Sequence, residues 1–363
     1  MKGKVVFRHY IFSLALLFVG FQVSVQRRLL SISKPDPDDA AATARWLVSQ
    51  NSWGVLNTIS SDLGGSPFGN VVSFSDGIPG KGLGIPYFYL TTLDPTARNA
   101  LKDPRSSLTI SEYPIGTCGK NDPENPTCAK ITLTGKLNLV EGNSDEAEFA
   151  QSALFTKHPE MKDWPKGHNF QFFKLEIEDI FLIDWFGGPK PLTLDQYLHP
   201  NIKRSKDSKL MIKPKEESTI SNDLGGAPFG NVVSFSDGLP DNGLGIPYFY
   251  LTTLDPTASN ALIDPRSSFA ISEYPLGTCR NLDPENPTCA KITLTGKLKL
   301  VDGNSTEAEF AQSALFSKHP EMRDWPKDHH FQFFALEIED IFLINAFGGP
   351  KPLTVYEYLH PKI

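Results

Sequence analysis

The second half of this chain repeats the first. Residues 59–200 align with residues 220–361 at one constant offset and without a gap, and about 26 of roughly 142 aligned positions differ. A repeat of this length constrains the number of domains more than any other pattern in the chain. Because each copy has the size of an ordinary domain, we expect two similar domains that pack on each other.

The two copies begin differently. The first is preceded by an Ala-rich run at residues 38–50, which is typical of a helix, and by an apolar stretch at residues 53–58. The second is preceded by a lysine-rich segment at residues 201–218. We therefore expect the second copy to lack its N-terminal helix and most of its first strand. A β-domain without a strand exposes an unpaired edge, which we expect the first copy or a partner to cover.

These patterns divide the chain into a signal peptide (residues 1–25), a first domain (35–200), a lysine-rich linker (201–217) and a second domain (218–361). The N-terminus has Lys2, Lys4 and Arg8 ahead of an apolar run, as secretory signals do. That run is short for a membrane span, and an uncleaved signal anchor is the alternative. The linker is interpreted as a solvated tether.

The net charge and the cysteines of the chain exclude some classes of function and indicate disulfide bonds. With a net charge of −7 and no basic stripe, the chain lacks the pattern of a nucleic-acid-binding protein. Its four cysteines form two close pairs, Cys118 with Cys128 and Cys279 with Cys289, each spanning a Pro-rich loop. In a chain with a signal peptide, such pairs indicate one disulfide per copy rather than zinc ligands. The N-x-S/T sequon at Asn304 is a possible glycan site in an exposed turn.

Each copy has the pattern of a mainly β domain with flanking helices. Strands are expected at residues 53–60, 69–74, 87–92, 107–113, 130–140 and 170–183. Helices are expected after the capping signals at Asp94, Asn143 and Thr193. Six strands without regularly alternating helices predict a small closed β-barrel with helices at its ends. The fold class is therefore α+β, with two tandem six-stranded barrels.

Catalytic motifs such as G-x-S-x-G, H-E-x-x-H and the P-loop do not occur in the chain. Residues 67–77 (PFGNVVSFSDG) are interpreted as a turn and the start of a strand. Residues 186–190 (FGGPK) contain a Gly-Gly-Pro turn that would let a backbone approach a neighbour closely. A tight exit from a strand is the preferred interpretation of that turn.

Two further motifs contain candidate ligands. His158, Glu160 and His168 could bind a metal, and the second copy repeats them between His319 and His329. The prolines among them imply a turning loop, so a structural role is preferred. Residues 103–107 (DPRSS), repeated at 264–268, could clamp a phosphate through their arginine and hydroxyls. An arginine paired with a local carboxylate is the alternative.

At these residues the chain resembles the CREG family of secreted glycoproteins. The similarity covers almost all of each copy and rests on the runs ARWLVSQNSWGVL, PFGNVVSFSDG, GIPYFYLTTLD, HPEMKDWP and FGGPK. Plant members look closest, here with a tandem second copy. The resemblance implies the FMN-binding split barrel, a fold related to pyridoxamine-phosphate oxidases and usually found as a homodimer. A homodimer, or a pseudo-dimer of the two copies within one chain, is the implied assembly.

The resemblance also implies where a cofactor would bind. Flavin-using members of the wider superfamily hold the FMN phosphate with basic residues and hydroxyls on barrel strands. The matching residues are Thr91, Thr92, Arg105, Ser106 and Lys130 in the first copy, and Thr252, Thr253, Arg266, Ser267 and Lys291 in the second. For CREG proteins the resemblance implies no flavin activity, because an inserted loop obstructs the site. The cysteine loop is a candidate for that obstruction.

Two functions are compatible with these observations. We favour a non-enzymatic glycoprotein of the secretory pathway, extracellular or in a vacuole or lysosome-type compartment, that binds a protein or glycan partner. It would have no metal, no nucleic-acid partner and no membrane span after signal cleavage. The alternative is an FMN-dependent oxidoreductase or a flavin- or haem-binding protein. The tandem arrangement itself is explained equally by a genuine fusion and by the joining of two neighbouring genes in a predicted transcript.

Overall fold

Antiparallel strands dominate both repeats, and each repeat forms one curled sheet with helices packed against it. The computed structural model describes residues 33–36, 38–184, 188–200, 216–239, 242–279, 282–345 and 349–361. The proposed signal peptide and most of the linker lie outside these residues. Both repeats belong to one unit, Ser33–Ile363. The prediction of a mainly β fold with flanking helices is confirmed.

Repeat one contains eleven main elements in the part of the chain that is described. They are α1 (Ala40–Gln50), β1 (Trp53–Ser60), β2 (Ser66–Ser73), β3 (Tyr87–Leu90), α2 (Pro95–Lys102), β4 (Arg105–Ser111), β5 (Lys130–Leu139), α3 (Asp145–Lys157), β6 (Gln171–Asp184), β7 (Gly188–Pro191) and α4 (Leu194–Leu198). The strands pair in the order β2-β1-β4-β5-β6-β3, and β7 pairs with β6. The six predicted strands are therefore present, and the end of the FGGPK motif adds a short seventh.

Repeat two follows the same plan without a described counterpart of α1. Its elements are β8 (Glu216–Ser221), β9 (Ala227–Val232), β10 (Phe235–Leu239), β11 (Asn242–Leu251), α5 (Pro256–Ile263), β12 (Arg266–Ser272), β13 (Lys291–Leu300), α6 (Thr306–Lys318), β14 (Gln332–Asn345), β15 (Gly349–Pro352) and α7 (Val355–Leu359). The strands pair in the order β10-β11-β14-β13-β12-β8-β9, and β15 pairs with β14.

Capping side chains explain where the helices begin. Asp94 caps α2, with Pro95 in the first helical position, and Thr193 forms a capping box with Gln196 at α4, as the sequence predicted. The predicted cap of α3 is wrong by one residue. Ser144 rather than Asn143 accepts the backbone N–H of Ala147, because a hydroxyl at the N-cap reaches the N–H three residues on.

The expectation that repeat two has lost most of its first strand is wrong. Strand β8 begins at Glu216, two residues before the expected domain boundary, and it is paired on both sides, with β9 and with β12. Strand pairing uses backbone groups, so polar residues at the end of the linker complete the sheet as well as apolar ones do. At β8 the expected exposed edge is therefore absent.

The two repeats contact each other through equivalent strands. Strand β2 packs against β12 and β13, and β9 packs against β4 and β5. Phe68 meets Phe342 edge to face with ring centroids 5.3 Å apart, and Phe181 meets Phe229 in the same way at 5.1 Å. The contact is thus reciprocal, because each repeat presents the same surface to the other.

Candidate functional site

Both cysteine loops are closed by a disulfide and reach across to the other repeat. The S–S distances are 1.95 Å for Cys118–Cys128 and 1.90 Å for Cys279–Cys289. The first loop bonds to Ser234 and His319 of repeat two, a contact that we call the open loop site. The second bonds to Ser73 and His158 of repeat one, which we call the closed loop site.

The closed loop site is a buried network around the carboxylate of Asp283. Ser73 donates its hydroxyl to Asp283, and His158 Nδ1 lies 2.5 Å from the second carboxylate oxygen. His158 Nε2 lies 3.0 Å from the carbonyl oxygen of Phe74. Both ring nitrogens therefore face acceptors, and only a protonated imidazole donates to both at once. The contact combines a buried carboxylate–imidazole pair with a backbone anchor.

Opposing influences act on the two central aspartates. Burial raises the pKa of Asp283, but the hydrogen bond and charge of His158, together with the Ser73 hydroxyl, outweigh burial and hold the pKa below its usual value. The same balance, with His319 and Ser234, lowers the pKa of Asp122 in the open loop site. Both carboxylates therefore stay charged and keep the loops docked at neutral pH.

A glutamate in each loop is buried beside the aspartate. The backbone N–H of Ser73 donates to Glu285 at 3.0 Å, and that of Ser234 donates to Glu124 at 2.8 Å. Burial raises the pKa of each glutamate to about 8, although Lys291 and Lys130 partly oppose the rise. These glutamates therefore hold a proton in the folded protein at pH values where an exposed carboxyl has lost it.

The open loop site differs from its counterpart because it borders a cleft of about 480 Å³. The lining includes Tyr113, Phe235, Lys318 and Glu321 beside Asp122 and His319. The His319 side chain is 15% exposed, against 3% for His158. In repeat one Trp53 packs edge-on against Tyr274, the counterpart of Tyr113. The position aligned with Trp53 is Pro214, outside the described residues.

The two arginines of the DPRSS motif are engaged by protein groups. Arg105 Nη2 lies 2.5 Å from Asp103, and its Nη1 donates across the repeats to the carbonyl oxygen of Gly225 at 2.9 Å. Arg266 repeats the pattern with Asp264 and, at 3.0 Å, the Gly64 carbonyl oxygen. The hydrogen bond from Arg105 lowers the pKa of Asp103. This is the carboxylate pairing that the sequence left open as the alternative to a phosphate clamp.

The remaining candidates for a cofactor site are dispersed. Lys130 and Lys291 donate to the carbonyl oxygens of Val232 and Val71 in the opposite repeat. Thr91 and Thr252 each donate to a backbone carbonyl oxygen in the loop after α3 or α6. Ser106 and Ser267 each donate to the carbonyl oxygen of the proline two residues earlier. Thr92 and Thr253 follow Thr91 and Thr252 just after the ends of β3 and β11. Each of these hydrogen bonds is made either within one repeat or between the two repeats.

These residues do not fit an FMN phosphate clamp. Arg105 pairs with Lys136 in the β4–β5 register, so Lys130 lies six residues along β5 from it, which is about 20 Å. The two cations are thus at opposite ends of one strand pair, and both already have protein partners. We derive no redox step at this position.

The histidine motif has separate roles at its two ends. His158 is part of the closed loop site, whereas His168 is exposed and stacks on Phe170 at 6.2 Å between ring centroids. Among the described residues no group of three or more His, Cys, Asp and Glu side chains is arranged to hold a metal ion. Asn304 is exposed in the turn before α6, where a glycan could be attached.

Sequence reasoning missed the residues that hold the loops. Asp122, Glu124 and their copies lie in the shared sequence DPENPT, which was interpreted only as the inside of a disulfide loop. The presence of the same two acidic residues in the short loop of both repeats was the signal that could have indicated their role. Their partners, Ser73 and His158, belong to motifs that looked structural when each was considered alone.

Glu217 is a further buried acid, at the position where repeat one has Leu56. It is 1% exposed, and among the described residues neither carboxylate oxygen has a hydrogen-bond partner. Burial raises its pKa well above the usual value, and the nearby Glu124 and Asp255 add to the rise. The core of repeat two therefore accepts this side chain most readily in its neutral form.

We expect stability to be highest in mildly acidic solution. Glu124, Glu285 and Glu217 keep protons in the folded state that the unfolded chain releases above its ordinary carboxyl pKa, so stability falls as pH rises towards 8. Asp122 and Asp283 act oppositely and lose their contribution below about pH 4. Denaturant unfolding should show a maximum near pH 4 to 5 and a decline in the free energy of unfolding from there towards pH 8.

The variant Glu217→Leu provides the matched control. Since it restores the residue of repeat one, it should raise the free energy of unfolding by about 2 kcal/mol at pH 7 and flatten the pH dependence. The reverse change, Leu56→Glu, should steepen it. A stability that rises between pH 5 and pH 8 would contradict this interpretation.

The sheets and the crossed disulfide loops define a class of protein, a tandem β-barrel protein of the split-barrel type in which each repeat holds a loop of the other. The chain belongs to the CREG family, because the family model described as "CREG, beta-barrel" matches residues 35–199 and residues 215–360. The family resemblance and the barrel fold predicted from the sequence are thereby confirmed.

Individual relatives match about half of this chain. Protein CREG1 of Homo sapiens is 41% identical over 173 residues, which are 47% of this chain and 78% of that protein. Protein CREG2 of Homo sapiens is 41% identical over 167 residues, or 45% of this chain and 57% of that protein. Among solved structures, a heme binding protein from Mycobacterium smegmatis is 20% identical with a TM-score of 0.37, covering 46% of this chain and 62% of that one.

Proposed function

We propose that this CREG-family chain is a non-catalytic binding protein of the secretory pathway, in which the two repeats act as an intrachain pseudo-dimer. The observation that carries the proposal is the exchange of the two disulfide loops. Asp122 with His319, and Asp283 with His158, bind each loop to the opposite repeat. The basic residues that the resemblance implies for a cofactor, Arg105, Arg266, Lys130 and Lys291, also donate hydrogen bonds to the opposite repeat.

The location is supported by several separate features. The N-terminal pattern of a signal peptide, the two disulfides and the exposed sequon at Asn304 all suit an oxidising compartment. The stability maximum expected near pH 4 to 5 suits a vacuole or lysosome-type compartment. In the described part of the chain, none of the helices combines the length and the apolar character needed to cross a bilayer.

Absorption spectroscopy of the secreted protein tests the absence of a cofactor. The chain is expressed with its own signal in a eukaryotic host, purified from the medium, desalted and scanned with and without added FMN or haemin. We expect no band above the protein absorption in either case after desalting. The double variant Arg105→Ala and Arg266→Ala should give the same spectrum, because both arginines bind protein groups.

Two outcomes would favour the alternative of a flavin or haem protein. One is a stoichiometric cofactor band in the native protein. The other is added cofactor that survives desalting in the parent chain and is lost in the double arginine variant. A band retained in both proteins would place a cofactor elsewhere and would also overturn the non-catalytic assignment.

A further inference from the structure

Repeat one holds its N-terminal helix in an apolar groove. Helix α1 packs against α4 and against strands β4, β5 and β6. Its Trp46, Leu47 and Val48 side chains belong to the main core of the repeat. The groove residues beneath it are almost completely buried: Ile110 is 1% exposed, and Ile131, Leu182 and Tyr197 are each 0% exposed.

Repeat two has the same groove residues but a different exposure. Ile271, Ile292, Leu343 and Tyr358 are identical to their counterparts, yet all four are only half-buried. The segment aligned with α1, residues 201–211, is NIKRSKDSKLM. It has Asp207, Ser208 and Lys209 where α1 has Trp46, Leu47 and Val48. At the positions of Trp46, Leu47 and Val48 the linker therefore has polar or charged residues in place of apolar ones.

The residues whose polar groups bind helix α1 in repeat one also occur in repeat two. In repeat one, Arg45 donates to the carbonyl oxygens of Gly82 and Leu198 and lies 5.7 Å from the centre of the Tyr197 ring. Repeat two has the corresponding residues Gly243, Leu359 and Tyr358. The Tyr358 hydroxyl donates to the Gly245 carbonyl oxygen at 3.0 Å, as Tyr197 does to Gly84. The tyrosine hydroxyl is thus anchored in the same way in both repeats, while Gly243 lies in the β10–β11 hairpin and Gly82 lies in a loop.

Charge complementarity also favours a basic helix. Asp76 is buried in repeat one, while its counterpart Asp237 is half-buried and lies near Tyr358 and Lys318. Glu112 accepts a salt bridge from Lys34, just ahead of α1, at 2.7 Å. Lys34 also pairs with Asp184 at 3.1 Å, and repeat two retains the first acid as Glu273 but has Asn345 in place of the second. A helix with a cationic residue next to its apolar face could therefore pair with these acidic residues while its apolar side chains cover the groove.

We propose that this surface of repeat two, which we call the second groove, binds an amphipathic helix of a partner protein that presents an Arg-Trp-Leu-Val face like that of α1. The inference rests on the proposed function and deepens it, because it gives the binding protein a surface and its partner a chemistry. Helix α1 is the template, since the same apolar and polar groups already bind it in repeat one. The partner helix spans about three turns, the length of α1.

A synthetic peptide of residues 34–51 tests the proposal with the full-length protein. The peptide is labelled at its N-terminus and titrated by fluorescence anisotropy. We expect saturable binding of one peptide per chain. A peptide with Arg45→Ala and Trp46→Ala should bind at least tenfold more weakly. No saturable binding below about 1 mM, or equal binding of the two peptides, would overturn the proposal.

Matched variants of the full chain locate the peptide. Ile271→Lys places a charge in the second groove and should weaken binding at least tenfold, and Leu343→Lys should do the same if the first variant folds poorly. Leu254→Lys is the control, because Leu254 is exposed just after β11, near the end of β14 opposite to Leu343. Binding that survives both groove variants would mean that the peptide displaces α1 from repeat one, and the proposal would fail.

Light scattering distinguishes a second copy of this chain from a partner helix. The proposal predicts the same mass for the parent chain and for Ile271→Lys at all concentrations tested. A dimer that Ile271→Lys converts to a monomer would assign the groove to self-association and overturn the partner assignment.

The absorption experiment and the peptide titration test different proposals. A cofactor band would contradict the proposed function and would leave the peptide binding unchanged, so a failure of one proposal can be told from a failure of the other.

Discussion

Replacing His158 with alanine should destabilise the protein by about 3 to 5 kcal/mol. The imidazole is 3% exposed and bridges Asp283 of repeat two and the Phe74 carbonyl of repeat one. Its removal leaves the Asp283 carboxylate buried without its cation, which costs more than the loss of one surface hydrogen bond. Denaturant unfolding at pH 6 would measure the change.

His319→Ala is the matched variant in the open loop site. The same contacts exist there, but the His319 side chain is 15% exposed and borders the cleft. Water can therefore solvate Asp122 after the substitution, and we expect a loss of about 1 to 2 kcal/mol. Equal losses for the two variants, or a greater loss at His319, would contradict the difference in burial between the sites.

Replacing Gly230 with valine should disrupt the contact between the repeats and cost about 3 kcal/mol. A Cβ atom at this position in β9 would collide with Asn57 and Thr109 of repeat one. The Gly230 carbonyl also accepts the Thr132 hydroxyl at 2.6 Å, so the backbone has little freedom to withdraw. Thermal unfolding should show a lower midpoint.

The chain supplies both a control and a rescue for this variant. Gly303→Val should be nearly neutral, because no atom lies within 4 Å of its added Cβ. The residues aligned with Asn57 and Thr109 in repeat two are the smaller Ser218 and Ala270. Gly230→Ala combined with Asn57→Ser and Thr109→Ala should therefore recover most of the stability lost by Gly230→Ala alone. A failure to recover would place the strain elsewhere.

Local rules predicted the elements of each repeat well. Strand positions followed from runs of apolar residues that alternate or stay buried, as in β5 and β6, and the helix starts at Asp94 and Thr193 followed from their capping side chains. The errors were at boundaries. Ser144 competes with Asn143 for one cap, and Glu216 and Glu217 extend a strand whose pairing needs only their backbone groups.

The candidate site was much less accessible to sequence reasoning. Arg105 and Lys130 looked like one clamp because both lie on barrel strands, but the register places them at opposite ends of a strand pair. Asp122 and His319 are 197 residues apart along the chain. Their contact depends on how the repeats pack, and no spacing within one repeat encodes it.

The sequence by itself determined the two repeats, their strand content, the disulfide pairs and the family, because these depend on local patterns and on residues close along the chain. Only the tertiary structure decided that the loops cross between repeats, that the arginines are occupied and that one groove holds its helix while its twin is half exposed. Those features depend on contacts between distant segments, in which burial and hydrogen bonding select one arrangement among many that the same local patterns allow.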